Sequence, residues 1–241
     1  MPPAMLWCVI YPLLARLRSE TCRLLAPIKT EVCAYLKSLG LFQALKEQGI
    51  EVNDRDTPER PDTPLVLPLT RFDNESEVDR LTNQAYDALQ SAGFGSANLY
   101  PVVSETFAEL AMNAVQHSES PIGAYGFLQF YESELGRTFI CGVADGGIGI
   151  KQSLWKNPAL RDQIPYDWAA IELALEERVS GTLDQRRGIG LYGVVQDMRK
   201  AGRQLIIHSG VGFLQMSEEL ERQTRRTRLF PGTLAYVSIP T

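Results

Sequence analysis

Cysteine is scarce and scattered. The four present, Cys8, Cys22, Cys33 and Cys141, form no C-x-x-C pair. That spacing excludes a disulfide framework and the common zinc-site patterns, and it suits a reducing, cytoplasmic setting. Histidine is scarcer, with only His117 and His208. No excess of positive charge exists either: 24 Lys and Arg stand against 29 Asp and Glu, giving a net charge of −5. Without a general basic field, nucleic acid is not an expected partner. Long hydrophobic runs are also missing. The apolar stretch at residues 4–15 is interrupted by Pro12, is preceded by no basic residue, and is too short to span a bilayer. It reads as a buried element or a partner-facing helix, not as a signal peptide, and no membrane partner is expected.

What is present is ordinary globular material, 44% hydrophobic over 241 residues, enough for one large domain or a medium domain with an appendage. Residues 51–64, EVNDRDTPERPDTP, hold three prolines and seven charges without an apolar period. They read as a linker between an N-terminal helical or regulatory region (1–50) and a main domain (65–241). Before the linker, residues 29–48 carry Val32, Tyr35, Leu36, Leu39 and Leu45 at helical spacing up to Gly49. After it come a strand at 65–69 and helices over 75–91 and 100–118, the second with Pro101 in its first turn. Strands at 125–131 and 137–143 are joined by a turn at 134–136, and a helix follows near 165–179. Further strands are expected at 205–208, 213–216 and 234–239. Helices before hairpin-linked strands predict a two-layer α/β sandwich, a mixed sheet with helices on one face.

Three polar clusters stand out. The first, RRGIGLYG at 186–193, contains a complete G-x-G-x-x-G in Gly188, Gly190 and Gly193. A dinucleotide fingerprint requires a buried strand before it and an acid about 20 residues after it. Residues 176–187 are too polar for that strand, and the strand ending at His208 brings no carboxylate. A helix does follow, with Leu191, Val194, Val195 and Met198 at helical spacing. The dinucleotide reading fails.

The second cluster, Asp145-Gly-Gly147-Ile-Gly149, follows a strand. It reads either as a plain turn or as an acceptor for an exocyclic amine, set among glycines that admit a ligand to the backbone. The third lies in the helix at 100–118, where Phe107, Leu110, Ala111 and Ala114 form the apolar stripe. Glu109 and Asn113 stack one turn apart at its edge. They are either a solvated edge or a carboxylate beside an oxygen ligand suited to Mg²⁺.

In order and spacing these clusters resemble the GHKL superfamily, the Bergerat-fold ATPase domains of gyrase, heat-shock chaperones, histidine kinases and mismatch-repair proteins. Glu109-Leu-Ala-Met-Asn113-Ala resembles the N box, Asp145-Gly-Gly147-Ile-Gly149 the first glycine box, and Gly188-Ile-Gly190-Leu191 the second. Pro231-Gly232-Thr233 with the strand after it resembles the closing Gly-Thr strand. The likeness covers residues 70–241, and Asn113-Ala-Val-Gln-His117 looks most like stand-alone anti-sigma-factor-type kinases. The resemblance implies ATP and Mg²⁺ as cofactors. Asp145 would read the adenine amine, Asn113 would hold Mg²⁺, and Glu109 would position or deprotonate a nucleophile. Gly147, Gly149, Gly188, Gly190 and Leu191 would border the nucleotide, with Thr233 near the base or phosphates. Residues 151–187 would be a mobile lid, with Arg186 and Arg187 either neutralising phosphate or forming a solvated basic pair, and Gly193 merely packing its helix.

Two functions follow as expectations. One is hydrolysis of ATP or phosphoryl transfer to a regulatory protein partner in bacterial-type signalling. The other is a nucleotide-controlled interaction module with little turnover. A self-contained histidine kinase is not expected, because neither histidine lies in the first sixty residues. Those residues are read as a possible remnant of a STAS-like unit.

Overall fold

The computed structural model describes residues 2–18, 22–53, 58, 65–94, 96–133, 136–176, 190–198, 202–218, 220 and 222–241. The turn expected at 134–136 falls outside them except for Gly136, as do Arg186, Arg187, Gly188 and most of the expected linker.

The chain opens with α1 (Pro2–Leu17), whose Leu6, Val9, Ile10 and Leu13 are buried at helical spacing. Then follow β1 (Arg23–Leu25), α2 (Thr30–Ser38), α3 (Leu41–Glu47) and β2 (Glu51–Asn53), with β1 and β2 paired in parallel. The single helix expected at 29–48 is thus two. Gly40, at φ +82°, turns the chain left-handed between them, which an α-helix of L-residues does not tolerate.

The main domain adds β3 (Leu65–Phe72), α4 (Glu75–Ala92) and α5 (Tyr100–His117), then the hairpin β4 (Ala124–Ser133) and β5 (Gly136–Asp145). Asn74 fixes the start of α4 by accepting from the Glu77 amide at 3.0 Å, while Glu77 returns a bond to the Asp73 amide at 2.9 Å. This reciprocal cap satisfies amides the helix itself leaves unpaired. Next come α6 (Gly149–Trp155), a 3-10 helix (Pro158–Gln163), α7 (Asp167–Ala174), α8 (Gly190–Met198), β6 (Gln204–Ser217) and β7 (Gln223–Pro240).

Residues 65–241 build a two-layer α/β sandwich. Its five-stranded sheet has the order β3-β4-β5-β7-β6 and is antiparallel throughout, not mixed. The helical crossover from β5 carries the chain to the far edge, and β7 then returns between β5 and β6. The two short strands expected at 205–208 and 213–216 are one strand, β6, and the last strand starts at Gln223, not at 234.

Helices cover both faces of the sheet, not one. Alternation sends Phe139, Cys141 and Val143 of β5 toward α4, α5, α7 and α8, and Ile140 and Ala144 toward α1 and α3. The first core includes Phe72, Phe107 and Leu128; the second includes Leu6, Ile10, Phe42 and Phe127. Among the described residues no helix is long and apolar enough to cross a membrane.

Candidate functional site

Asp145 ends β5 and continues its odd-numbered series, so it faces the α4–α5 layer. By the same alternation Thr233 of β7 follows Ala235 and Val237 to that face, and Ser209 of β6 follows Leu205 and Ile207. Three neighbouring strands therefore deliver three polar side chains to one place.

The bonds among them are specific. Asp145 Oδ1 accepts from the Gly147 amide at 2.8 Å and the Thr233 amide at 3.2 Å. Ser209 Oγ accepts from the Ile150 amide at 2.8 Å, lies 3.1 Å from Thr233 Oγ1 and donates to the Gly232 carbonyl at 3.2 Å. Asp145 is only 3% exposed. Burial pushes its carboxyl up to about 7, against the lowering effect of the Gly147 and Thr233 amides. Among the described residues both bonds to this carboxylate fall on Oδ1, so Oδ2 is left for a donor from outside.

The first glycine cluster is tied to α5 as well as to Asp145. The Ile148 amide donates to the carbonyl of Ser118, the residue capping α5, at 2.8 Å. A side chain at Gly147 would collide with that carbonyl oxygen, and one at Gly232 with the carbonyl oxygen of Asp145. Close backbone approach thus requires glycine at both positions, whatever ligand is bound.

Glu109 and Asn113 sit one turn apart on α5; Glu109 is exposed, with its carboxyl only partly desolvated, and Asn113 is half-buried. Asn113 Nδ2 donates to the Glu109 carbonyl at 2.7 Å, which leaves the amide oxygen as the free end. Burial raises the Glu109 carboxyl above its ordinary value, and the charge of Glu105 adds to this. α5 packs on β5 and on α8. Gly190 opens α8, and Leu191 packs against the core it shares with α5. Among the described residues nothing lies where a Gly193 side chain would stand, so the packing expected of that glycine has no partner among them.

A cleft of about 410 Å³ lies beside this network. Gly147, Gly149, Lys151, Trp155, Asp167 and Gly232 are among its lining, but Glu109, Asn113 and Asp145 are not. Residues 151–174, expected to belong to a mobile lid, are largely helical. Ala170 and Ile171 of α7 are fully buried, because Trp168–Leu175 present an apolar side to β6. The remainder of that expected lid, from 177 to 187, lies outside the described residues.

Ser118 and Ser209 are not legible in the sequence, where a serine beside an element end carries no distinctive pattern. Among the described residues no group of three or more His, Cys, Asp or Glu side chains could hold a metal ion by itself. The free Asn113 oxygen fits a hard cation whose other ligands come from phosphate, and the Asp145 carboxylate fits an amine donor. No protein-family model and no curated protein matches the chain.

Proposed function

We propose that this chain is a Mg²⁺-ATP-binding domain of the GHKL type that hydrolyses ATP or passes its γ-phosphoryl group to a partner protein. The observation that carries this reading is Asp145: a buried carboxylate at a strand end, held through one oxygen by the Gly147 and Thr233 amides. Its other oxygen suits the exocyclic amine of adenine. Guanine presents a carbonyl oxygen at the equivalent place, and acceptor against acceptor disfavours it.

The remaining roles follow from α5. Asn113 would hold Mg²⁺ through its amide oxygen, and that cation would offset charge on the phosphates. Glu109, with its carboxyl raised by burial, is suited to take a proton from an attacking hydroxyl or water. Such transfer is chiefly positioning and charge stabilisation. Gly190 at the start of α8, and Gly188 before it, would border the phosphates. His208 is poorly placed as a phosphoacceptor, since it is buried with Nε2 bonded to the Arg228 carbonyl at 2.8 Å. His117 lies on α5 itself, one turn past Asn113, so the acceptor would be a separate protein, a Ser or Thr, or water.

Calorimetric titration with ATP and with GTP, each with Mg²⁺, tests the binding half; ATP should bind and GTP should bind far more weakly. Phosphate release and labelling from γ-labelled ATP test the chemical half, with no stable phosphohistidine expected on this chain. ATP binding without phosphate release or transfer would leave a nucleotide-controlled interaction module instead.

A further inference from the structure

The β6–β7 ribbon runs past the rest of the sheet. β5 pairs with β7 only from Leu234 to Pro240, whereas β6 follows β7 back to Gln223. The ribbon is also irregular. Ser209, Gly210 and Gly212 of β6 lie opposite Thr233, Phe230 and Arg226 of β7, so β7 inserts extra residues there. Bulges of this kind bend a strand and re-aim its side chains.

The side chains they re-aim are unusual for an acidic chain. Four arginines fall within seven residues, Arg222, Arg225, Arg226 and Arg228. Arg222 pairs with Glu176 at 3.2 Å, and Arg225 lies over the Phe213 ring at 4.6 Å. Arg225, Arg226 and Arg228 are exposed, and among the described residues none of the three meets a carboxylate. Beside them stands an apolar contact point. Leu229 is 59% exposed and Tyr11 of α1 is 42% exposed, joined by a bond from the Tyr11 hydroxyl to the Leu229 carbonyl at 2.6 Å.

We propose that this arginine-rich outer ribbon is a docking surface for a short acidic segment of a partner protein, one carrying an apolar residue that seats on Leu229 and Tyr11. Guanidinium groups match carboxylates in geometry as well as charge. Range decides between an acidic peptide and a nucleic acid. At physiological salt charges act over about 8 Å, so a short segment senses the four arginines together with Glu172 and Glu176 beside Thr224 and Arg222, a local excess of positive charge. An extended polyanion would also meet the surface of a chain whose net charge is −5. This inference stands apart from the nucleotide reading and does not depend on it.

The test uses the full chain and a fluorescein-labelled, glutamate-rich peptide containing one leucine, followed by anisotropy at low and physiological salt. The wild type should bind it, more weakly as salt rises. R226E with R228E should lose about tenfold or more in affinity. R23E with R80E, an equal change in net charge elsewhere, should change it less than about twofold. The milder pair R226Q and R228Q should show a smaller loss in the same direction and serves if the reversed pair does not fold. Retention of ATP affinity in a variant that loses the peptide separates this surface from the nucleotide site. The inference is overturned if the wild type ignores the peptide or if both reversed pairs lose it equally. It also falls if an oligothymidylate of similar charge binds as tightly. Self-association of R226E/R228E at unchanged peptide affinity would assign the arginines to protecting the ribbon edge instead.

Discussion

On one face of the sheet, Leu6, Val9, Ile10 and Leu13 of α1 meet a surface containing Phe127, Ile140 and Tyr236; on the other, α4 and α5 meet one containing Phe72, Leu128 and Val143. Both contacts exclude water and both are built on the same alternation of strand residues. They differ at the strand ends. Only the α5 face receives Asp145, Ser209 and Thr233, and only its helical layer carries Glu109 and Asn113. The α1 face receives His208 instead, packed among Trp7 and Phe230. Shielding the sheet is thus a task of both faces, whereas the candidate site is confined to one. A substitution should disturb one task without the other.

The largest expected effect is on chemistry alone. Glu109→Ala should retain nucleotide binding and stability and lose about 10²–10⁴ in turnover, as read from phosphate release. Unchanged turnover would remove Glu109 from the mechanism. Next is stability alone: Phe127→Ala, fully buried against the α1 layer, should cost about 3–5 kcal/mol in denaturant unfolding. A loss below about 1 kcal/mol, small against any core truncation, would mean the α1 layer is dispensable to the core.

The pH dependence of Asp145 is the next effect in size. Its carboxyl is raised to about 7 in the fold, above the roughly 3.9 of an unfolded chain. Folding therefore retains a proton that the unfolded chain releases. The associated stability is complete below about pH 4 and falls as pH rises toward 7, by up to about 1.4 kcal/mol per pH unit. Unfolding measured from pH 5 to 8 should show this slope in the wild type and lose that component in Asp145→Asn. An identical slope in both would mean Asp145 is not the group responsible. The smallest effect is local. Asn74→Ala removes the α4 cap and should cost about 1 kcal/mol, with turnover unaffected; a change in turnover would show that α4 is coupled to the site.

Legibility in the sequence followed regularity. The helix expected at 75–91 is α4 (Glu75–Ala92) and that at 100–118 is α5 (Tyr100–His117), since α4 starts at the Asn74 cap, α5 has Pro101 in its first turn, and both carry a continuous apolar stripe. The outer halves of β6 and β7 are illegible because a ribbon outside the core lacks the apolar alternation that marks a strand. The second covered face is not marked in the pattern because β4 and β5 are apolar at both parities, Tyr125, Phe127, Ile140 and Ala144 being buried on the side away from α5. At the site, Asp145, Gly147 and Thr233 were all named from the sequence and are joined by hydrogen bonds. Ser118 and Ser209 were legible only once three strands and a helix end came together around them.

The most direct measurement is calorimetric titration of wild type and Asp145→Asn with Mg²⁺-ATP. The amide keeps the shape of the carboxylate but can turn a donor toward the adenine amine, so the wild type should bind measurably and the variant should lose most of that affinity. Equal affinity in the two proteins, or no binding by the wild type, would contradict it.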